Sequence, residues 1–167
     1  MCIRDRALGA QHLEVAESLS NLAWLYGFEG KYSEAEPLYR RGLSIREAAL
    51  GPDHPDVATS LNNLALLEVS EGKLAYAEPQ FQRAMQIMEK ALGPEHPALA
   101  TAANNLATLY VDEDKFAQAE PLFRRSLNNL FNQFQSNFRD MTEKERLEFL
   151  QTVSGSFSLF FLSLIHI

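Results

Sequence analysis

The sequence predicts an all-α protein: a solenoid of three helix hairpins followed by a C-terminal capping or linker helix. Two observations predict it. The chain repeats itself at an offset of 42 residues, and each repeat holds two runs of apolar residues at helical spacing. At that offset Leu8, Leu50 and Leu92 align, as do His12, His54 and His96, and Asn21, Asn63 and Asn105. Later columns are Lys31, Lys73 and Lys115; Pro37, Pro79 and Pro121; and Tyr39, Phe81 and Phe123. A period in this range marks stacked units, each burying its apolar face against its neighbours.

In order, residues 13–26 place Leu19, Leu22, Ala23 and Tyr26 on one helical face. Glu29-Gly30-Lys31 breaks the pattern. Ser33 with Glu36 reads as a capping box that opens a second helix. That helix carries Ala35, Leu38, Tyr39, Leu43 and Ile45 to about residue 49, with Pro37 near its N-terminal end, where a missing N–H costs least. Gly51-Pro52 and His54-Pro55 stop it, because a residue before proline is pushed out of the α region. The second unit predicts helices over 55–70 and 74–91, and the third over 97–111 and 116–131. Unit boundaries fall at about 7–48, 49–90 and 91–127.

Residues 128–140 keep an apolar spacing through Leu130, Phe131, Phe134 and Phe138 but leave the repeat. Thr142 with Glu145 forms another capping box, followed by Leu147, Phe149, Leu150 and Val153. Residues 128–161 therefore read as capping or linker helices. Small residues recur where the two helices of a hairpin must cross closely: Ala23, Ala65 and Ala107 face Ala35, Ala77 and Ala119. Leu22, Leu64 and Leu106 are their large partners. All these columns read as core.

The order Leu-x-x-Leu-Ala-x-x-Tyr, Gly-Lys, Ala and then an aromatic resembles a tetratricopeptide repeat. The 42-residue variant seen in LGPDHPDVATSLNNLALL and YSEAEPLYRRGLSI is similar to the repeats of kinesin light chains and their bacterial relatives. The resemblance covers about residues 7–127. Unit one lacks the Asp-His-Pro neighbourhood, Asp114 replaces the loop glycine of unit three, and Glu68 stands where Tyr26 and Tyr110 do. The run of residues 141–152, MTEKERLEFLQT, resembles the segment joining such repeats to a caspase-like CHAT domain in bacterial proteins. That implies a regulatory arm whose catalytic His and Cys lie beyond residue 161. A stand-alone adaptor or cargo-binding module of the kinesin-light-chain kind is the alternative.

The two ends read as foreign. Residues 1–6 can be written ATG TGT ATA AGA GAC AG, whose reverse complement encodes residues 162–166 and the start of Ile167 in frame. The word resembles a transposase end sequence used in making sequencing libraries. On that reading both ends are non-native tags, Cys2 is no native cysteine, and the chain is an internal fragment. An exposed apolar face near Ala7 and self-association through repeat ends are then expected.

Composition narrows the function. Hydrophobic residues make up 46% of the chain, enough for a packed core, and the formal net charge is −7. An acidic chain lacks the basic footprint of a nucleic-acid binder. The apolar tail from Phe157 is too short to span a bilayer, so neither nucleic acid nor membrane is an expected partner, and the expected location is cytoplasmic.

The histidine column invites a metal reading. Packed helices lie about 8–10 Å apart, which sets equivalent histidines on the order of 15–20 Å apart. Ligands of one zinc sit about 2 Å from the ion, so His12, His54 and His96 read as turn or N-cap elements. No nucleophile elbow, P-loop or His-Glu-x-x-His pattern occurs, so no enzyme, cofactor or metal is expected. Recognition remains. In the resembled family the first helix of each unit lines a concave groove. That register points Glu17, Ser20 and Trp24, then Thr59, Asn62 and Leu66, then Thr101, Asn104 and Thr108 toward a protein or peptide ligand; for Trp24 the other reading is that it covers an edge where an upstream repeat is missing. An amide offers donors and an acceptor together, so Asn62 and Asn104 suit an extended backbone, although a solvated polar surface is the other reading. Asn21, Asn63 and Asn105 are expected to bond between neighbouring helices.

Overall fold

The computed structural model describes residues 12–145. They form six helices: α1 Leu13–Phe28, α2 Tyr32–Leu50, α3 Pro55–Ser70, α4 Leu74–Leu92, α5 Pro97–Asp112 and α6 Phe116–Asp140. Among the described residues there is no strand. The first compact unit ends at Asn129 and holds the three hairpins; the second begins at Leu130. The tags, the face near Ala7 and the segment carrying Leu147, Phe149, Leu150 and Val153 lie outside the described residues.

The first helices of the hairpins begin where histidine caps them. Nδ1 of His12, His54 and His96 accepts from the backbone N–H of Glu14, Asp56 and Ala98 at 3.3, 3.1 and 3.2 Å. Each thus satisfies one of the N–H groups that a helix start leaves open. Pro55 and Pro97 follow at the first helical position, where no N–H is needed. Gly51 and Gly93 end α2 and α4 with φ of 90° and 87°, a region that only glycine adopts cheaply.

The second helices start differently from the expectation. Ser33 lies inside α2, and its hydroxyl donates to Glu34, while Glu36 binds Arg40 and Lys73. No capping box forms there; Lys31 is the N-cap and its side chain makes no capping hydrogen bond. Pro37, Pro79 and Pro121 sit inside their helices rather than in the first turn, each the sixth residue. Helix α6 also runs past the predicted end near residue 131, because Asn132 to Asp140 carries no proline or glycine to stop it. In the second unit, Thr142 and Glu145 do form the capping box. The Thr142 N–H donates to Glu145 Oε2 at 2.8 Å, and the Glu145 N–H donates to Thr142 Oγ1 at 3.4 Å.

The alanine columns are buried: Ala23, Ala65, Ala107, Ala35 and Ala77 are fully enclosed and Ala119 nearly so. Leu64 packs with Ala23, Ala35 and Tyr39 of the preceding hairpin, and Leu106 packs with Ala65, Ala77 and Phe81 of its own preceding hairpin. Burying such a leucine stabilises by roughly 1.5–3 kcal/mol. Leu22 departs from the expected core at 39% exposure. Its column packs backwards against the preceding hairpin, and among the described residues none precedes α1.

Two ion-pair ladders repeat at both junctions. Lys73 reaches back to Glu36 at 3.2 Å and Lys115 to Glu78 at 3.3 Å. Arg83 pairs with Glu47 at 2.7 Å and Arg125 with Glu89 at 2.6 Å. The lysine column is visible in the sequence, and its partners Glu36 and Glu78 recur at the same offset.

Candidate groove between the first helices

The nine residues predicted to face a ligand all lie on α1, α3 and α5. Glu17, Trp24, Thr59, Leu66, Thr101, Asn104 and Thr108 are exposed, and Ser20 and Asn62 are half-buried. The half-buried pair is engaged inside the protein. Arg46 Nη1 donates to Ser20 Oγ at 3.0 Å and to Ser60 Oγ at 2.6 Å, so one guanidinium from α2 ties α1 to α3. Asn105 Nδ2 donates to Asn62 Oδ1 at 2.9 Å, bonding α5 to α3. Of the expected bridging column Asn21, Asn63 and Asn105, only Asn105 makes such a bond among the described residues, and its partner is a residue of the predicted groove.

Two clefts open between α1 and α3. One, of about 410 Å³, is lined by Trp24, Gly27 and Phe28 from α1 and by Asn63, Leu66 and Ser70 from α3. Trp24 and Phe28 stack at 5.9 Å with an angle of 22° between rings, and are 63% and 82% exposed. Stacked aromatics held in water represent apolar area that a partner can bury. The other cleft, of about 350 Å³, is lined by Leu13, Glu14, Glu17, Arg46, Asp56 and Thr59. Its lining carries the carboxylates of Glu14, Glu17 and Asp56 and the guanidinium of Arg46.

Phe28 and Arg46 were not singled out in the sequence. Phe28 lies one turn beyond Trp24, so extending the same face by one turn would have found it. Arg46 comes from a second helix, and no periodicity within α1 signals it.

The caps occupy the histidine nitrogens facing the backbone. Among the described residues, no group of three His, Cys, Asp or Glu side chains is placed to hold a metal ion. No described helix is long and apolar enough to cross a membrane.

Comparison with known proteins agrees with this architecture. The chain is similar to BtubC (BKLC) from P. vanneervenii, at 27% identity and a TM-score of 0.66, over 70% of this chain and 46% of that one. It is also similar to a putative kinesin light chain of Podosopora anserina with nearly identical TPR-like repeats. There the identity is 24% and the TM-score 0.65, over 71% of this chain and 56% of that one, a likeness of fold alone. The chain thus spans about half the length of these proteins. No curated protein matches it. Two tetratricopeptide repeat models match residues 15–56 and residues 56–130. The matched stretch contains the three hairpins and their inter-helix grooves, and the chain belongs to the tetratricopeptide repeat family.

Proposed function

We propose that the chain is a non-catalytic protein-interaction module that holds a peptide or partner protein against the face formed by α1, α3 and α5. Tetratricopeptide repeats mediate protein–protein interaction, and that class supports the reading. The observation that carries it is the open groove between α1 and α3, where exposed aromatic and aliphatic side chains stand beside polar ones. Asn104, Thr101 and Thr108 extend the same face on α5 and offer hydrogen bonds to a main chain.

The test is selection of displayed peptides on the intact chain. Binders are expected, and the double substitution Asn62→Ala with Asn104→Ala is expected to abolish their binding while helicity by circular dichroism stays unchanged. Asn105→Ala is the control, because it breaks the Asn62–Asn105 bond without removing either groove residue. Unaltered affinity in the double variant would remove Asn62 and Asn104 from the site.

For the wider protein, we favour a regulatory arm of a bacterial, cytoplasmic protein, with residues 7–127 as repeats and 128–161 as the linker to a CHAT domain. The support is the run at residues 141–152, whose Thr142–Glu145 capping box forms. The kinesin-light-chain-like adaptor is the second reading, favoured by the fold neighbours. Source DNA read past the codon for Phe161 separates them. A frame continuing into a domain with spaced His and Cys supports the arm, and an early stop supports the adaptor.

A further inference from the structure

We infer that the groove between α1 and α3 selects an extended peptide segment carrying a lysine or arginine about three residues from a large apolar side chain. The inference rests on the interaction reading above and names the partner's chemistry.

The two clefts lie between the C-terminal and the N-terminal halves of the same two helices, α1 and α3, and differ in the charge of their lining residues. Trp24, Phe28 and Leu66 make one end apolar, and its lining holds no charged side chain. Glu14, Glu17 and Asp56 line the other end. The cation among these described lining residues, Arg46, spends one guanidinium nitrogen on the hydroxyls of Ser20 and Ser60. The Glu17 and Asp56 carboxylates outnumber it, so this end presents net negative charge to an incoming segment, and the protein as a whole, at −7, adds to the attraction for a cation.

The spacing follows from helix geometry. Glu17 to Trp24 and Thr59 to Leu66 are each two helical turns, which is about 10 Å along the axis. An extended chain rises about 3.3 Å per residue, so roughly three residues connect the two ends. The neighbouring groove lacks the pairing. There the columns of Trp24, Phe28 and Leu66 carry Leu66, Ser70 and Thr108, and the Asn105–Asn62 bond bridges α3 and α5. The aromatic end thus belongs to the first junction, which fixes where along the array the segment docks.

Trp24 is the only tryptophan of the chain, so its emission reports the apolar end directly. The experiment titrates the intact chain with synthetic Gly/Ser-rich peptides bearing Lys-x-x-Phe and follows both Trp24 emission and anisotropy of a peptide label. Saturable binding with a blue shift of Trp24 is expected. Replacing the peptide's lysine by glutamate, or moving lysine next to phenylalanine, is expected to weaken binding by about tenfold or more. Glu17→Lys and Leu66→Asn are each expected to weaken it by about tenfold, at unchanged helicity. Equal binding of the lysine and glutamate peptides, or binding that leaves Trp24 emission unmoved, overturns the inference. If such peptides fail while display-selected ones still bind and are lost in the Asn62/Asn104 double variant, the inference falls and the interaction reading stands. If no peptide of either kind binds, both fall.

Discussion

Single positions in the repeat show what the fold demands most clearly where one unit departs from the others. The loop after the first helix of each hairpin closes with a backbone bond five residues back: Lys31 to Tyr26, Lys73 to Glu68 and Lys115 to Tyr110. That closure needs a residue with positive φ just before the lysine. Gly30 and Gly72 supply it at φ 75° and 81°, and Asp114 supplies it at 58°. A side chain in this region crowds the carbonyl that follows it. Asp114→Gly is therefore expected to stabilise the third hairpin by about 0.5–1 kcal/mol, read as a higher denaturant midpoint with an unchanged slope. A lower midpoint would show that Asp114 gives the loop something a glycine cannot. The departure was visible in the sequence as an aspartate in a glycine column; its positive φ was not, since that follows from the closing hydrogen bond.

Between elements, the two junctions solve one packing problem with different chemistry. At the second, Tyr110 donates its hydroxyl to Glu78 at 3.0 Å and accepts from Gln82 at 3.1 Å. At the first, Glu68 occupies the tyrosine's place, and Arg40, in the glutamine's column, donates to it at 3.3 Å. Glu68 is buried, and its Oε2 has no hydrogen-bond partner among the described residues. Burial pushes the Glu68 carboxyl above its ordinary value of 4.5, against the opposing pull of Arg40 and Lys73, and the Glu36 and Glu71 carboxylates push the same way as burial. Since the folded-state value is raised, the folded chain holds this proton more tightly than the unfolded one. Its contribution to stability is full below pH 4.5 and is lost as pH rises through the raised value. Glu36 and Asp53, with lowered values, act in the opposite sense, so the difference between wild type and Glu68→Gln isolates the effect. Chemical denaturation from pH 4 to 8 is expected to show wild type losing stability relative to Glu68→Gln as pH rises. A flat difference would mean that Arg40 fully offsets the burial of the charge. The sequence marked Glu68 as a departure but not as a buried acid, because the exchange is legible only when columns 40 and 68 are read together across a junction.

Across the whole repeat array, stability is built junction by junction, and the leucine column shows it. Repeat proteins gain most of their stability from interfaces between neighbouring units rather than from each unit alone. Leu64 is fully buried at the first junction, whereas Leu22, its counterpart one period earlier, is 39% exposed. The helices, their hairpin pairing and the alanine crossings were legible in the sequence because each repeats a local pattern. The sequence could not separate Leu22 from Leu64, since identical letters differ only in what stacks against them. The same holds for the groove: the register implied by the family resemblance points Trp24 and Leu66 to one face, but the charge at the far end of that face depends also on Arg46, which comes from α2. Leu64→Ala is expected to cost roughly 2–5 kcal/mol, and Leu22→Ala under about 1 kcal/mol, since the second removes far less buried contact. The location of the loss is the sharper expectation. Leu64 joins α3 to Ala23, Ala35 and Tyr39 of the first hairpin, so its truncation uncouples that hairpin from those that follow. Amide hydrogen exchange should then show α1 and α2 losing protection while α4 and α5 retain it, held by the Leu106, Phe81 and Tyr110 cluster. Uniform loss of protection over α1, α2, α4 and α5 would instead make the array one cooperative block, and the nearest-neighbour picture would not describe it.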